Sequence, residues 1–146
     1  LKFTLPNRMI MKTAEEKKTR NTKHQKAVLE LLKNATKALT ADEIREKLAD
    51  NINKTTVYRM LDRFVEAGKI HFVTGQNGKS FYALCKSCKE EPPKHIHNHL
   101  HFQCEICGKV ECLPETVKVP QLDNYTIRET QLLLIGTCKR CMNSTN

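Results

Sequence analysis

Residues 95–107 read HIHNHLHFQCEIC, and this stretch decides how the C-terminal part of the chain folds. Histidine occupies every second position from His95 to His101. Because successive side chains of a β-strand point to opposite faces, an extended strand presents all four imidazoles on one face. The strand then runs into Cys104-x-x-Cys107, followed by a glycine that permits a tight turn. The stretch therefore predicts a strand that carries candidate metal ligands and ends in a cysteine knuckle.

A second C-x-x-C pair lies near the end of the sequence, about thirty residues after the first. Two such pairs supply four thiolates, which complete the tetrahedral coordination of Zn²⁺. A redox dithiol is the alternative, but it requires one pair beside a βαβ unit, and no such unit is visible in the sequence. We therefore expect a structural zinc site with these ligands: Cys104, Cys107, Cys138 and Cys141.

The composition limits the classes of protein to consider. Of the 146 residues, 39% are hydrophobic and 28% are charged, which is typical of a globular protein. No segment approaches the roughly 18 consecutive apolar residues of a membrane helix, and no signal-peptide pattern opens the sequence. All of the seven cysteines except Cys112 occur in C-x-x-C pairs, which indicates metal binding in a reducing cytosol. We expect a cytoplasmic protein without a membrane partner.

The positive charge is concentrated in the N-terminal part of the chain. The net charge is +9, and residues 1–84 carry 17 Lys and Arg against 9 Asp and Glu. Residues 85–146 carry 8 against 7. Such an asymmetry favours nucleic acid as the partner of the basic part, because neutralisation of phosphates drives binding. A merely solvated basic surface would have the same charge, so charge alone leaves both interpretations open.

Three helices are predicted in the basic part. Apolar residues recur at helical spacing over residues 22–35. Thr40-Ala-Asp-Glu43 is a capping box, in which the hydroxyl and the carboxylate satisfy backbone amides at the start of a second helix. Asn53 is a suitable N-cap for a third helix over residues 54–67.

A β-hairpin follows the third helix. Gly68 is placed to end the helix, and strands over residues 69–73 and 79–84 are joined by the turn residues TGQNG. Three helices followed by a hairpin are the order of a winged helix-turn-helix. The exposed face of the third helix is either a solvated surface or the face that contacts DNA. The aromatic ring of Tyr58 and the guanidinium of Arg59 favour DNA contact. The candidate DNA-binding residues are Arg20, Lys23, Thr55, Thr56, Tyr58 and Arg59.

The fold class expected is α+β, in two domains. Residues 12–85 form the winged helix, residues 86–94 form a polar hinge that contains prolines, and residues 95–146 form a small α/β domain with the four-cysteine site. Within the second domain, prolines argue against a long helix over residues 113–123. The last strand is predicted over residues 125–135.

Several motifs together resemble those of the ferric uptake regulator (Fur) family. The likeness extends over residues 12–142 and includes residues 19–25 (TRNTKHQ), 56–59 (TVYR), 78–84 (GKSFYAL), 99–110 (HLHFQCEICGKV) and 136–141 (GTCKRC). It implies a cytoplasmic, homodimeric, metal-dependent transcription regulator. It also implies that the second domain forms the dimer and that the partner is a double-stranded DNA operator.

The resemblance also implies a sensory metal site between the two domains. The strand ligands of that site match His99 and His101. In the zinc-sensing branch a cysteine ends the wing, which is Cys85 here, and a fourth ligand follows the recognition helix, which is His71 here. This last position commonly holds Asp in the family, but imidazole is an equally competent zinc ligand.

Two positions distinguish zinc from iron within this resemblance. The carboxylate that iron sensors place before the end of the wing corresponds to Ala83, and the histidine that they place before the second helix corresponds to Ala38. A thiolate with imidazoles suits Zn²⁺, whereas ferrous sensing favours oxygen and nitrogen ligands. The expected function is therefore a zinc-responsive repressor of zinc-uptake genes that binds palindromic operators as a metal-loaded dimer. An iron-, manganese- or peroxide-responsive member of the family is the alternative.

A further metal site of the family has no counterpart, because its strand positions are Asn98 and Leu100 and its late histidine falls at Thr130. The residues without an assigned role are Cys88, Cys112, His95 and His97, and Cys85-x-x-Cys88 could chelate instead of the wing site.

An enzyme is not expected, since a site with four thiolates leaves no open position for water and no H-x-E deaminase motif is present. A DNA- or protein-binding module with structural zinc only is a third possibility. No small-molecule substrate other than a metal ion is expected.

Overall fold

The computed structural model describes residues 22–84 and 99–144. The N-terminal part has the predicted order of helices and a hairpin. Helix α1 covers residues 22–34, and a short strand β1 (Leu39–Thr40) leads into α2 (Ala41–Lys47). The longest helix, α3, is Lys54–Glu66, and strands β2 (Ile70–Thr74) and β3 (Ser80–Leu84) form the hairpin. These strands and β1 form an antiparallel sheet in the order β1-β3-β2.

The predicted helix caps are present. The Thr40 hydroxyl accepts a hydrogen bond from the Glu43 amide, and the Glu43 carboxylate accepts one from the Thr40 amide at 2.8 Å. The Asn53 side chain accepts a hydrogen bond from the Thr55 amide at 2.9 Å, which satisfies one of the free donors at the start of α3. Gly68 follows the helix with φ +66°, a conformation that favours glycine.

The N-terminal core forms where the three helices pack on the hairpin. Val57, Met60, Leu61 and Phe64 of α3 are buried, as the helical spacing predicts. They join Val28 and residues of α2 in one apolar cluster. The opposite face of α3 is exposed, so the packing leaves its polar residues available for a partner.

The C-terminal part is a second three-stranded sheet. Strand β4 (His99–Cys104) is central, with β5 (Val110–Thr116) antiparallel on one side and β6 (Leu133–Gly136) parallel on the other. A short helix, α4 (Lys139–Asn143), ends the described chain. The overall fold class is α+β, as predicted. None of the helices in the described ranges is long and apolar enough to span a membrane.

One strand prediction in this part requires correction, and β5 extends into the segment where only the absence of a long helix was predicted. Strand β5 continues through Pro114, because the register between β4 and β5 shifts between His99 and His101. A bulge at an edge strand tolerates a proline that a central strand would exclude. The last strand is shorter than predicted, since β6 begins only at Leu133. Tyr125 and Ile127 are 75% and 45% exposed, and a sequence pattern for a strand does not supply a neighbouring strand to pair with.

The two sheets are in direct contact. Ala38, Val73, Phe81 and Val110 form a second buried apolar cluster, to which β5 contributes Val110. The Ala38 amide donates a hydrogen bond to the Val110 carbonyl at 2.8 Å. These contacts bring the hairpin of the N-terminal part against the strands that carry the histidines.

Candidate metal centres and DNA-binding face

The four predicted zinc-binding cysteines lie together. Cys104 ends β4, Cys107 lies in the following turn, Cys138 precedes α4 and Cys141 lies within it. Their four sulfur atoms are all within 4.8 Å of one another. Gly108 completes the turn with φ +71°, which allows the chain to reverse directly after the knuckle. Four thiolates at this spacing can hold a tetrahedral Zn²⁺ without any further ligand.

Backbone amides prepare the Cys104 sulfur for metal binding. Amides of Cys107 and Cys138 direct hydrogen bonds at this sulfur and lower the pKa of Cys104 to about 6. The Cys138 amide lies 3.4 Å from it. Because the thiolate is the form that binds a metal, these amides favour the ligand state before the metal arrives.

A second cluster joins the two sheets. His71 comes from β2, His99 and His101 from β4, and Cys112 from β5. The Nε2 atom of His71 lies 3.2 Å from Nε2 of His99, 3.1 Å from Nε2 of His101 and 3.3 Å from the Cys112 sulfur. The three imidazoles are buried, and the four ligand atoms are all within 4.8 Å of one another. Three imidazoles and one thiolate are a complete donor set for Zn²⁺.

The strand geometry explains how these side chains meet. His99 and His101 alternate along β4 and so share a face. Cys112 is the direct antiparallel partner of His101 across β4 and β5, and such partners project to the same face. His71 reaches this face from the hairpin, because β2 packs against the C-terminal sheet.

Burial favours the neutral form of His99 and His101. It lowers the pKa of His99, and together with the neighbouring His99 ring it lowers the pKa of His101 to about 4. The Nδ1–H of His101 donates to the Leu132 carbonyl at 3.3 Å, which leaves a lone pair on Nε2 directed into the cluster. A neutral ring with its second nitrogen held by a carbonyl is the usual state of a histidine that binds metal.

The cluster differs from the predicted regulatory site in its thiol. Sequence reasoning named His71, His99 and His101, which the structure brings together, and Cys85, which lies outside the described residues. The hinge and the unassigned His95, His97 and Cys88 lie outside them as well. Cys112 was not assigned to the site from the sequence. Its place opposite His101 follows from the pairing of Gln103 with Val110 across the turn, which the C-x-x-C spacing by itself does not determine.

A cleft of about 200 Å³ opens beside this cluster. Its walls include His71, His99 and Cys112, together with Ala38 and Ala83. These alanines stand at the two positions where the resemblance to iron sensors would require a histidine and a carboxylate. Within the described residues, the side chains at these two positions therefore offer neither a nitrogen nor an oxygen ligand.

The predicted DNA-binding residues that the structure describes are exposed on α1 and α3. Tyr58 is 38% exposed, and the Lys54 ammonium lies 5.9 Å from the centre of its ring. Lys23, Thr56 and Arg59 line one surface depression together with Arg63. Arg20 lies outside the described residues. The two helices thus present basic and aromatic side chains on one side of the molecule.

Comparison with known proteins places the chain in a family. Residues 16–132 match the model of the ferric uptake regulator family. The peroxide-responsive repressor PerR of Staphylococcus epidermidis is 27% identical over 136 residues, which cover 87% of this chain and 84% of that protein. The ferric uptake regulator of Vibrio cholerae is 25% identical with a TM-score of 0.54, over 79% of this chain and 88% of that one.

A zinc uptake regulator solved with zinc and DNA has a similar fold. It superimposes with a TM-score of 0.60 and 21% identity, over 97% of this chain and 99% of that one. Members of the matched family are transcription regulators and not enzymes. Since the family model covers most of the sequence, this chain belongs to the ferric uptake regulator family of metal-dependent, DNA-binding transcription regulators.

Proposed function

We propose that this protein is a zinc-responsive repressor of zinc-uptake genes, which acts in the cytoplasm as a homodimer on palindromic operators. The observation that carries the proposal is the cluster of His71, His99, His101 and Cys112, because it connects the DNA-binding part to the C-terminal sheet. A metal ion held there would be bound by both parts at once. The metal would thereby control the orientation of the recognition helix α3.

The donor set supports zinc as the metal. Tetrahedral coordination by imidazole and thiolate is typical of Zn²⁺, whereas Fe²⁺ and Mn²⁺ sites usually contain carboxylates. Ala38 and Ala83 line the site without offering an oxygen or nitrogen ligand from their side chains. The sequence also offers Cys85 as a thiol at the end of the wing, so either Cys112 or Cys85 would be the fourth ligand. In both cases the site contains three imidazoles and a soft sulfur.

Residues of this chain would orient the ligands and keep them in the form that binds a metal. The Leu132 carbonyl orients the His101 ring, and burial keeps His99 and His101 in the neutral form that accepts a metal. A bound Zn²⁺ would act as a Lewis acid that accepts lone pairs from all of these ligands. His71 would then hold β2 at a fixed distance from β4. In a dimer this fixes the spacing of two α3 helices, which must match half-sites about one helical turn apart.

A second zinc ion would have a structural role. The four cysteines join the end of β4 to α4, and the Glu105 amide donates to the Gly136 carbonyl at 2.9 Å beside them. Metal bound by this set would hold together segments that are about thirty residues apart in sequence. We propose domain boundaries as predicted, with the winged helix over residues 12–85, the hinge over 86–94 and the dimerisation domain over 95–146.

The C-terminal sheet offers a surface for the second subunit. Strand β6 is an edge of its sheet in the described chain, and Leu134 and Ile135 are each 47% exposed. Leu122, Tyr125 and Ile127 precede it and are also exposed. Apolar residues next to an unpaired strand edge are typical of a surface that another chain covers. A homodimer formed there would leave α3 free to contact DNA.

A peroxide-responsive repressor is the second candidate function. The sequence relatives named PerR favour it, at 27% identity. The donor set of three histidines and a cysteine disfavours it, because an iron site would be richer in oxygen ligands. The two candidates differ in the metal that restores DNA binding to the stripped protein.

The test is operator binding by metal-stripped protein titrated with Zn²⁺, Fe²⁺ or Mn²⁺ at fixed salt, anaerobically for iron. We expect Zn²⁺ to restore binding at the lowest free concentration, with two zinc ions per chain at saturation. Restoration by Fe²⁺ or Mn²⁺ with loss of binding after hydrogen peroxide would instead support the peroxide-responsive candidate. Binding that is independent of every metal would contradict both.

A further inference from the structure

The face of β4 that carries His99 and His101 has a third member. Gln103 continues the alternation and is only 5% exposed. Its side-chain oxygen accepts a hydrogen bond from the backbone amide of Gln76 at 2.8 Å. Gln76 lies in the turn of the hairpin formed by β2 and β3. This face of β4 therefore contacts the hairpin at two places. His101 lies against His71 near the base of the hairpin, and Gln103 contacts the turn at its tip.

The turn is shaped to fit Gln103. Gly75 is buried, and a Cβ atom added there would lie 3.0 Å from the Gln103 oxygen and 2.7 Å from a ring carbon of Phe81. A side chain at this position would therefore push the turn away from β4. A second glutamine acts nearby, since the Gln131 side-chain oxygen accepts a hydrogen bond from the Thr74 amide at 3.0 Å.

We propose that Gln103 is a positioning residue. Its hydrogen bond holds the hairpin turn against the C-terminal sheet, so that metal binding at His71 fixes the orientation of the DNA-binding helices. This inference rests on the proposed metal-responsive function. It adds a residue that neither binds the metal nor contacts DNA.

The hairpin needs a contact with the C-terminal sheet besides the metal site, because a single point of attachment does not fix its orientation. Gln76 follows His71 by five positions, which corresponds to about 16 Å along an extended strand. A hairpin held only at the metal could pivot about that point, and α3 is joined to the base of the hairpin. The apolar contact among Ala38, Val73, Phe81 and Val110 between these two places is not directional. The hydrogen bonds from Thr74 to Gln131 and from Gln76 to Gln103 are directional, and the bond to Gln103 lies nearer the tip of the hairpin, so its loss would free the turn.

The experiment compares four full-length proteins: wild type, Gln103→Leu, Gly75→Ala and Gln76→Ala. Gln76→Ala is the matched control, because the Gln76 amide donates the hydrogen bond and its exposed side chain is not used. For each protein the operator Kd is measured with and without Zn²⁺ at fixed salt. The quantity compared is the ratio of the two Kd values, which measures how strongly metal binding is coupled to DNA binding. Zinc content and zinc affinity without DNA are measured in parallel.

We expect Gln103→Leu and Gly75→Ala each to lower this ratio by up to about tenfold, which is the scale of a lost part-buried hydrogen bond. Both should bind zinc without DNA as wild type does, and Gln76→Ala should match wild type throughout. Gly75→Ala disturbs the same contact from the other side, so the test does not depend on the folding of Gln103→Leu. A zinc-responsive wild type with an unchanged ratio in Gly75→Ala, or in a folded Gln103→Leu, would overturn this inference alone. A wild type whose DNA binding ignores zinc would overturn the proposed function and this inference with it.

Discussion

At the scale of single residues, Cys112 has the largest consequence for metal choice. It lies 3.3 Å from Nε2 of His71 and is the only exposed member of its cluster in the described chain. A thiolate at this point makes the donor set soft, and soft donors favour Zn²⁺ over Fe²⁺ and Mn²⁺. The competing thiol, Cys85, precedes the hinge. Replacing each cysteine separately distinguishes the two.

We predict that Cys112→Ala lowers zinc affinity at the histidine cluster by about 10–100-fold, since loss even of a residue that only supports a ligand has an effect of that size. The matched variant Cys85→Ala should leave the affinity near that of wild type. Competition with a zinc chelator measures both. The opposite pattern, in which only Cys85→Ala weakens binding, would show that the wing thiol is the ligand.

The second prediction at this scale concerns Tyr58. Its half-exposed ring on α3 is the largest side chain on the face proposed to read DNA. We expect Tyr58→Ala to weaken binding to the operator by roughly 1–3 kcal/mol and to reduce discrimination against mismatched sites. Lys23→Ala on α1 should instead weaken all sequences alike and reduce the salt slope by about one. An operator preference that survives Tyr58→Ala would mean that another side chain reads the bases.

At the scale of secondary-structure elements, helix α3 depends on its N-cap. The Asn53 side chain satisfies the Thr55 amide at 2.9 Å, and no acidic residue occupies the first turn of the helix. We predict that Asn53→Ala lowers the free energy of unfolding by about 1 kcal/mol and that Asn53→Asp retains most of it. Urea unfolding without DNA measures this. Equal stability of the alanine variant would imply that the cap contributes nothing to α3.

The elements that the sequence predicts well are those determined by local chemistry. The capping box at Thr40, the Asn53 cap and the buried stripe of α3 follow from short-range patterns, and the structure confirms them. The alternating histidines of β4 likewise predict a common face. The C-x-x-C spacing brings the two thiols of each pair together within one turn, and the pairing of β4 with β6 then brings the two pairs together.

The elements that the sequence predicts poorly depend on long-range pairing. The extent of β6 depends on where it meets β4, which no local pattern encodes, and the strand predicted from Tyr125 forms only from Leu133. The place of Cys112 depends on the register between β4 and β5, which includes a bulge. The contact of Gln103 with the hairpin turn is longer in range still, because it joins two sheets. For this reason the family resemblance identified three members of the histidine cluster, and the sequence did not assign the fourth.

At the scale of the whole molecule, the cysteine cluster should determine whether the C-terminal sheet persists. It connects β4 to α4, and zinc bound there contributes its binding free energy to folding. We predict that Cys104→Ser loses the tightly bound zinc and the dimer together, because the edge strand β6 lies between the two pairs. Metal content and size-exclusion chromatography with light scattering measure these properties. Cys112→Ser is the matched control and should keep the structural zinc and the dimer, whereas a dimeric and equally stable Cys104→Ser protein would contradict a structural role.

The central claim is that one metal ion joins the hairpin to the C-terminal sheet, and His71 tests it most directly. His71 belongs to β2 of the hairpin, whereas the other three members of the cluster belong to the C-terminal sheet. The decisive measurement is the operator Kd of His71→Ala with and without Zn²⁺ at fixed salt. We predict that this protein keeps its fold, its dimer and one zinc ion per chain, and that zinc no longer tightens its binding to the operator. A His71→Ala protein that responds to zinc as wild type does would contradict the account.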